Sequence, residues 1–307
     1  ISGLVEKLIG LKKDVVVKEE PPKKVEITQK NRSNFEKIKI KKLIHDKNWT
    51  KQIGTKNTDS VYGLTVDSKD NIYLTGFTYG KINGILNNGE SEIFLIKYNS
   101  NGTMIWSNML GSFKRDIGYG VSVDSNDNLY IIGNTFEKLD GNKHIGGSDI
   151  FLTKYDSNGV KQWTKQYGTS LSETSRNIII DKNNNIFLTG VTRGTFKGYN
   201  RGWHGDIVLM KINPLGAIEW IQQIDGKEHD SGLGLTFDSN NNIYVTGFTK
   251  GVLEGNVNFG VEDIFLMKFN SNGNREWTKQ FGTSSKDRGN AVTIDSLDNI
   301  YITGFTR

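Results

Sequence analysis

Residues Val66–Thr78 read VDSKDNIYLTGFT, and closely similar stretches begin at Val123, Ile180, Phe237 and Ile294. The leading aspartates recur every 57 residues, at Asp67, Asp124, Asp181, Asp238 and Asp295. Each copy places turn-forming Asp, Ser and Asn before a short run of apolar and β-branched residues, which is typical of a turn followed by a β-strand. A fixed period of this length, filled with short strands and turns, predicts a β-propeller.

Each period contains four strand-like runs, called A, B, C and D here in chain order. In the first complete copy, run A is Tyr62–Val66, run B is the IYLTGFT stretch and run C is Ile93–Tyr98. Run D carries a tryptophan that keeps the same period, at Trp49, Trp106, Trp163, Trp220 and Trp277. Glycine inside a strand marks a close backbone approach, so we expect Gly76 in run B to admit the neighbouring blade.

The number of runs predicts how the propeller closes. Runs A and B occur five times, but the last pair, Gly289–Thr306, has no C or D after it. Conversely, Glu36–Lys41 and Trp49 lie one period before the first C and D runs. The sequence therefore predicts a five-bladed propeller of four-stranded blades, in which strands from the N-terminal region complete the last blade. Such closure removes the open sheet edges that a linear array exposes.

On this prediction the propeller covers residues 36–307, and residues 1–35 form a leader with a short amphipathic helix and a charged linker. Apolar residues at helical spacing define the helix: Leu4, Val5, Leu8, Ile9 and Leu11. Because so short a helix is marginal alone, we expect it to need a partner surface. Docking or self-association, membrane-surface contact and disorder are the alternatives. The start at Ile1 predicts that an upstream segment has been removed.

Composition excludes several classes of function. The chain has no cysteine, which excludes disulfides and thiolate metal ligands, and its four histidines lack metal-ligand spacing. Its longest apolar runs are too short to predict a transmembrane segment. Residues 1–48 hold 13 of the 39 basic and 7 of the 34 acidic residues, which leaves 26 basic and 27 acidic residues afterwards. A nearly neutral repeat region argues against a nucleic-acid-binding face. No cofactor fingerprint or nucleophile elbow is present.

The whole repeating unit runs from W-x-x-Q-x-G-T through V-D-S-x-x-N-I-Y-x-T-G-x-T to D-I-F-L-x-K-Y-x-S-N-G. It resembles the bacterial β-propeller repeat family SBBP, often labelled seven-bladed, over about residues 49–307. The resemblance implies a secreted or cell-surface bacterial protein of a family that usually has no assigned biochemical activity. Since this chain departs from the seven-bladed label, its blade number is taken from its own five repeats.

Two periodic series of carboxylates are candidates for function. The first lies between runs D and A: Asp59, Asp116, Glu173, Asp230 and Asp287. In a propeller these loops share a face with the B–C loops and crowd the central channel. Loop capping or bonding to the next blade is the simplest interpretation; cation or ligand binding and acid–base glycoside cleavage are alternatives. The second series precedes run C and is interpreted as chiefly structural: Glu92, Asp149, Asp206 and Asp263.

The third B–C loop, GYNRGWHG, contains the other candidate ligand-binding residues: Tyr199, Arg201, Trp203 and His204. Trp203 is the only tryptophan outside the run D series, so blade packing does not require it. Aromatic planes beside arginine suit sugar or peptide recognition, although the loop could instead cover a blade edge. The sequence favours a non-enzymatic interaction or structural-assembly module outside the cell. A lectin-like carbohydrate binder is the alternative, and a glycoside hydrolase is a more remote one.

Overall fold

The computed structural model describes residues 49–85, 89–196 and 204–307, which contain 18 β-strands and no α-helix. The strands, in chain order, are β1 (Asp59–Val66), β2 (Ile72–Thr78), β3 (Glu92–Tyr98), β4 (Met104–Leu110), β5 (Asp116–Val123), β6 (Leu129–Thr135), β7 (Asp149–Tyr155), β8 (Lys161–Tyr167), β9 (Glu173–Ile180), β10 (Ile186–Thr192), β11 (Asp206–Ile212), β12 (Ile218–Ile224), β13 (Asp230–Phe237), β14 (Ile243–Thr249), β15 (Asp263–Phe269), β16 (Arg275–Phe281), β17 (Asp287–Ile294) and β18 (Ile300–Thr306).

These strands form four four-stranded sheets and the two-stranded sheet β17–β18. Within each four-stranded sheet, spatial order follows chain order and every neighbour pair is antiparallel. Each sheet is therefore a meander of runs A to D, and the 57-residue period corresponds to one sheet. The all-β repeat architecture predicted from the sequence is confirmed.

The hydrophobic core lies between consecutive sheets. Val121 of β5, for example, shares one buried cluster with Tyr73, Ile93 and Leu95 of the preceding sheet. Strands β6, β10 and β14 are buried along their whole length. Full burial of one large apolar side chain stabilises the fold by about 1.5–3 kcal/mol. Stability therefore depends on each sheet having a neighbour.

The first strands of successive sheets lie side by side, and glycine permits their approach. A Cβ on Gly63 would stand 3.0 Å from the Cα of Gly120 in the next sheet. A Cβ on Gly234 would stand 2.9 Å from the Cα of Ala291. The first strands β1, β5, β9, β13 and β17 therefore form what we call the inner edge, and the tryptophan strands lie at the opposite edge of each sheet.

The role predicted for Gly76 was wrong. A Cβ there would collide with the carbonyl oxygen of Ser60, which belongs to the same sheet. Gly76 thus admits its own first strand. The approach between sheets is permitted by Gly118 instead, where a Cβ would stand 2.5 Å from Thr75 Oγ1 of the preceding sheet.

The turn at Asp67 shows why the opening stretch recurs. The Asp67 carboxylate accepts hydrogen bonds from the Asn71 side chain (2.8 Å), the Tyr73 hydroxyl (2.8 Å) and two backbone N–H groups. Asp70 adopts φ 61°, the left-handed conformation that Asp and Asn tolerate best after glycine. The interpretation of these stretches as turns is confirmed.

The periodic tryptophan and lysine complete this arrangement. The Trp106 ring packs 5.9 Å from the Tyr73 ring, centroid to centroid. The Lys97 ammonium lies 5.1 Å from the centroid of the same ring and 3.8 Å from the Asp67 carboxylate. The tyrosine is therefore held between a tryptophan and a lysine, and these residue types recur for structural reasons.

The predicted closure is not confirmed. Residues 49–58 carry no strand, so the D strand expected around Trp49 is not formed. Glu36–Lys41 and the leader lie outside the described residues. Within the described part of the chain, β17 and β18 pair only with each other. The first sheet correspondingly exposes apolar surface: Leu64 is 64% exposed, whereas Val121, one period later, is 6% exposed.

Candidate functional site

The first carboxylate series stands at the first position of each inner-edge strand. Asp116, Glu173, Asp230 and Asp287 are at most 1% exposed. Each accepts a hydrogen bond from the backbone N–H four residues earlier, as Asp287 does from Thr283 at 2.7 Å. The Thr283 hydroxyl donates to the same carboxylate at 2.9 Å. These side chains therefore cap the turns that lead into the sheets, and so does Asp59 through Thr55.

The second series lies directly beside the first, which the sequence did not reveal. A parallel β-bridge joins the residue just before a C strand to the residue just before the first strand of the following sheet. Ser91 and Arg115 form one such bridge. The following residue on each side is a carboxylate, so the two series meet at each junction. The resulting pairs are Glu92–Asp116, Asp149–Glu173, Asp206–Asp230 and Asp263–Asp287. At the last junction, Asp263 Oδ1 and Asp287 Oδ2 lie 2.6 and 3.0 Å from the ideal Cβ position of Gly282.

At three of these junctions, one carboxyl group favours its protonated form. Burial, followed by the nearby Asp206 and Asp225 charges, raises the pKa of Asp230 to about 7. Burial also raises the pKa of Asp116 and of Glu173. Several junction oxygens have no hydrogen-bond partner: Oδ1 of Asp116, Asp149, Asp230, Asp263 and Asp287. Neighbouring buried carboxyl groups of this kind share a proton more readily than both ionise.

A metal site is not evident at these junctions. In residues 49–85, 89–196 and 204–307, no three His, Asp or Glu side chains are grouped so that they could hold a metal ion. The carboxylates meet in twos, and their side chains are buried.

Basic side chains from three sheets surround His229, next to Asp230. Burial lowers the pKa of His229, and the charges of Lys250, Arg193 and Arg288 lower it further. Its Nδ1 accepts a hydrogen bond from the Gly205 N–H at 3.1 Å. Glu262 forms ion pairs with Lys250 and Arg288, so part of this positive charge is neutralised.

The predicted cluster in the third B–C loop is only partly described. Tyr199, Arg201 and Trp203 lie outside the described residues. His204 is exposed, and its Nδ1 lies 3.7 Å from the Glu228 carboxylate. Ligand binding by this loop stays a prediction.

A row of inner-edge side chains was missed from the sequence. In every first strand, pairing with the second strand skips one residue at the fourth position, which is a β-bulge. The skipped residues are Tyr62, Tyr119, Arg176, Leu233 and Asn290. Tyrosine occupies this position in the first two sheets and a different residue type in each of the other three, although the surrounding strand is repeated. Such variation within a repeated strand was the signal that the sequence offered.

Three of these bulge residues are stacked in order. The Tyr62 and Tyr119 rings lie 5.2 Å apart, with 38° between their planes. The Arg176 guanidinium lies 4.9 Å from the Tyr119 centroid. Tyr62 is 54% exposed, and Arg176 is exposed as well. The row is therefore a solvent-facing array of two aromatic rings and one cation.

A separate groove of about 360 Å³ lies at the outer strands of the third and fourth four-stranded sheets. It contains none of the predicted site residues. Its lining comprises Gln222, Gln223, Ile224, Asp225, Glu254, Phe269 and Arg275.

Comparison with known proteins bears on the identity of the repeats. Five stretches match the family described as "Beta-propeller repeat" (SBBP): residues 48–83, 105–136, 162–197, 219–254 and 276–306. A relative named "Uncharacterized WD repeat-containing protein L264", from Acanthamoeba polyphaga mimivirus, is 25% identical over 356 aligned positions, which cover 83% of this chain and 26% of the relative. The "Regulatory protein FlaEY" of Caulobacter vibrioides is 26% identical over 56% of this chain and 21% of its own length.

The chain thus spans about a quarter of the length of these curated relatives. Among solved structures, a protein of unknown function from Bacteroides caccae aligns over 76% of this chain and 73% of its own, with 11% identity and a TM-score of 0.44. Within the described residues, the structure contains no helix with the length and apolar character needed to cross a membrane.

Proposed function

Because the chain belongs to the Beta-propeller repeat family, we propose that it is a non-enzymatic binding module, secreted or at the bacterial cell surface. It presents the face formed by the loops before the first strands and by the B–C loops to a macromolecular partner. Loops on a rigid scaffold are where binding residues usually lie.

The burial of the periodic carboxylates carries this proposal. A glycosidase needs two carboxylates that reach a substrate. Here Asp116, Glu173 and Asp230 are 0% exposed, and their oxygens accept hydrogen bonds from the turns that they cap. The residues that repeat most regularly therefore support the scaffold, and the binding surface consists of residues that vary between repeats.

Closure of the ring is part of the proposal. In this proposal the five sheets form a five-bladed propeller whose β17–β18 blade is completed from the N-terminal region, with Glu36–Lys41 as its C strand. The exposed apolar residues of β1 support it, because Leu64 and Val66 are 64% and 45% exposed at positions that are covered in the next sheet. Upstream of this closure, the leader docks on a partner or on a second copy through its apolar stripe.

The function is tested by assaying the purified full chain against a panel of aryl-glycosides. We expect no turnover. Turnover that is abolished by Asp116→Asn or Asp230→Asn, in variants that melt at the wild-type temperature, would overturn the proposal. Sedimentation with and without residues 1–30 tests assembly through the leader. An unchanged oligomer size would exclude that route.

Carbohydrate binding without catalysis is a second candidate. The exposed Tyr62 ring and the half-buried Tyr119 ring favour it, since aromatic rings offer an apolar face together with a polar hydroxyl. The third B–C loop, with Trp203 and Arg201, would extend such a surface.

A further inference from the structure

We propose that Tyr62, Tyr119 and Arg176 form a binding site for a carboxylated sugar unit of an acidic glycan. The site lies on the inner edge, at the bulges of three consecutive first strands. The inference rests on the proposed non-enzymatic binding function and gives it a ligand class.

The backbone fixes the position of this row. A bulge turns one side chain out of the regular alternation of its strand. Each of the first two bulges is followed by a glycine, Gly63 or Gly120, at which the next first strand approaches closely. The three side chains are therefore mounted on a rigid set of strands, and little ordering is needed when a ligand binds.

Arg176 is the anion-binding element. Within the described residues it makes no ion pair, and its guanidinium stacks on the Tyr119 ring, 4.9 Å from the centroid. Stacking holds the guanidinium plane and leaves its N–H groups free for a carboxylate, which it binds with two parallel hydrogen bonds. An exposed arginine without an acidic partner thus has both the charge and the order that carboxylate recognition requires.

Tyr62 supplies the surface for the sugar ring. It is 54% exposed, and its centroid lies 5.2 Å from that of Tyr119 and 6.0 Å from that of Phe77. The Phe77 ring, itself buried, supports one side of Tyr62 and leaves the rest exposed. Arg176 lies two positions along the row from Tyr62, so a sugar chain that packs on Tyr62 would extend past Tyr119 to bring a ring carboxylate to Arg176.

The local charge favours an acidic ligand over a neutral one. Arg193, Lys250 and Arg288 surround His229 at the end of the same edge, and Glu262 pairs with two of them. The exposed charge of Arg176 therefore supplies the local attraction for anions. An acidic peptide would share this attraction, but the exposed tyrosine face beside the guanidinium matches a sugar ring that bears its own carboxylate.

The test measures calorimetric binding of the full chain to trigalacturonate and to neutral galactotriose at low ionic strength. We expect binding of the acidic trisaccharide only, weakening as salt is added. Arg176→Gln should reduce affinity about tenfold or more, and Arg176→Lys should recover only part of it because the planar fork is lost. Tyr119→Phe should preserve binding, whereas Tyr119→Leu should weaken it.

Arg275→Gln is the matched control. It removes an arginine from outer strand β16, where Arg275 pairs with Glu254, and should leave affinity unchanged. Equal binding of the two trisaccharides, wild-type affinity in Arg176→Gln, or binding of poly-glutamate in preference to trigalacturonate would each overturn the glycan site. Cleavage of trigalacturonate would overturn the non-enzymatic function and leave the site standing. Absence of glycan binding in a chain that still assembles through residues 1–30 would overturn the site alone.

Discussion

Ser68 donates two hydrogen bonds to Asp127, from its backbone N–H at 3.0 Å and from its hydroxyl at 2.8 Å, across 59 residues of sequence. Asp127 itself adopts φ 60° in the turn of the second sheet. The Asp127 side chain therefore lies in the turn of its own sheet and binds the turn of the preceding sheet. Ser239 and Asp298 make the same contact, and Asn184 accepts the corresponding backbone bond from Ser125.

Asp127→Ala should lower the free energy of unfolding by about 2 kcal/mol, because it removes two hydrogen bonds. It also places alanine in the left-handed region, which alanine tolerates less well than Asp or Asn does. Urea unfolding monitored by tryptophan fluorescence measures the change. Asp127→Asn is the control, since Asn184 already serves at the equivalent position. Equal loss in both variants would show that the charge matters more than the hydrogen bonds.

The stability of the fold should fall as pH rises from about 4 to about 7. The pKa of Asp230 is about 7 in the folded chain against 3.8 as the ordinary value, so the folded state binds this proton more tightly than the unfolded state does. The contribution is fully present below pH 3.8 and is lost up to pH 7, at about 1.4 kcal/mol for each pH unit. Unfolding free energies across this range measure it.

Asp230→Asn isolates this effect from other titrating groups. The lowered pKa of His229 acts in the opposite direction. Because the folded state binds this proton less tightly than the unfolded state does, His229 lowers the stability of the fold as pH falls below 6.5. The lowered pKa of Asp67 acts only below its ordinary value of 3.8. The difference in unfolding free energy between wild type and Asp230→Asn should therefore change with pH between pH 4 and 7. Parallel curves for the two proteins would contradict the assignment.

Gly234→Ala should destabilise the protein by about 1–3 kcal/mol, because the new Cβ would lie 2.9 Å from Ala291 Cα and 3.0 Å from Val292 N. Both atoms are backbone of the next inner-edge strand, so a whole sheet has to shift. The melting temperature reports the effect. Ala291→Gly, at the equivalent position of the last first strand, should cost less than about 1 kcal/mol. A reversed order of the two variants would argue against close inner-edge packing.

Leu64→Ala tests closure of the ring. If the last blade covers β1, Leu64 is a core residue and its truncation should cost about 2 kcal/mol or more, comparable with Val121→Ala. Deleting residues 1–48 should then lower the melting temperature as well, because the last blade loses its C strand. A wild-type melting temperature in both the Leu64→Ala and deletion variants would refute five-bladed closure.

The sequence was sufficient for the architecture because the same contacts recur in each sheet. Asn71 and Tyr73 both donate hydrogen bonds to Asp67 within seven residues, so their spacing alone indicates a turn and a strand. The tryptophan series could also be recognised from the sequence, because Trp106 packs on Tyr73 of its own sheet. Interactions within one sheet therefore appear in the sequence as residue types that recur with the repeat period.

Features that depend on two sheets were harder to infer. Glu92 and Asp116 are members of separate series in the sequence, and only a parallel bridge between sheets brings them together. The bulge at Tyr119 leaves no mark except variation within a repeated strand, so its stacking on Tyr62 could not be predicted. Gly76 was misassigned because a strand glycine indicates a close approach without indicating which strand approaches.

The bond between Ser68 and Asp127 also bears on how such a chain can evolve. Its two partners occupy fixed positions in consecutive 57-residue units, and so do Ser239 and Asp298. Duplicating or deleting one whole unit of the coding sequence would recreate the bond at the new junction, whereas duplicating or deleting part of a unit would remove one of its two turns. Arrays of this type can therefore change their number of units in whole steps, while the bulge residue of each new copy is free to diverge.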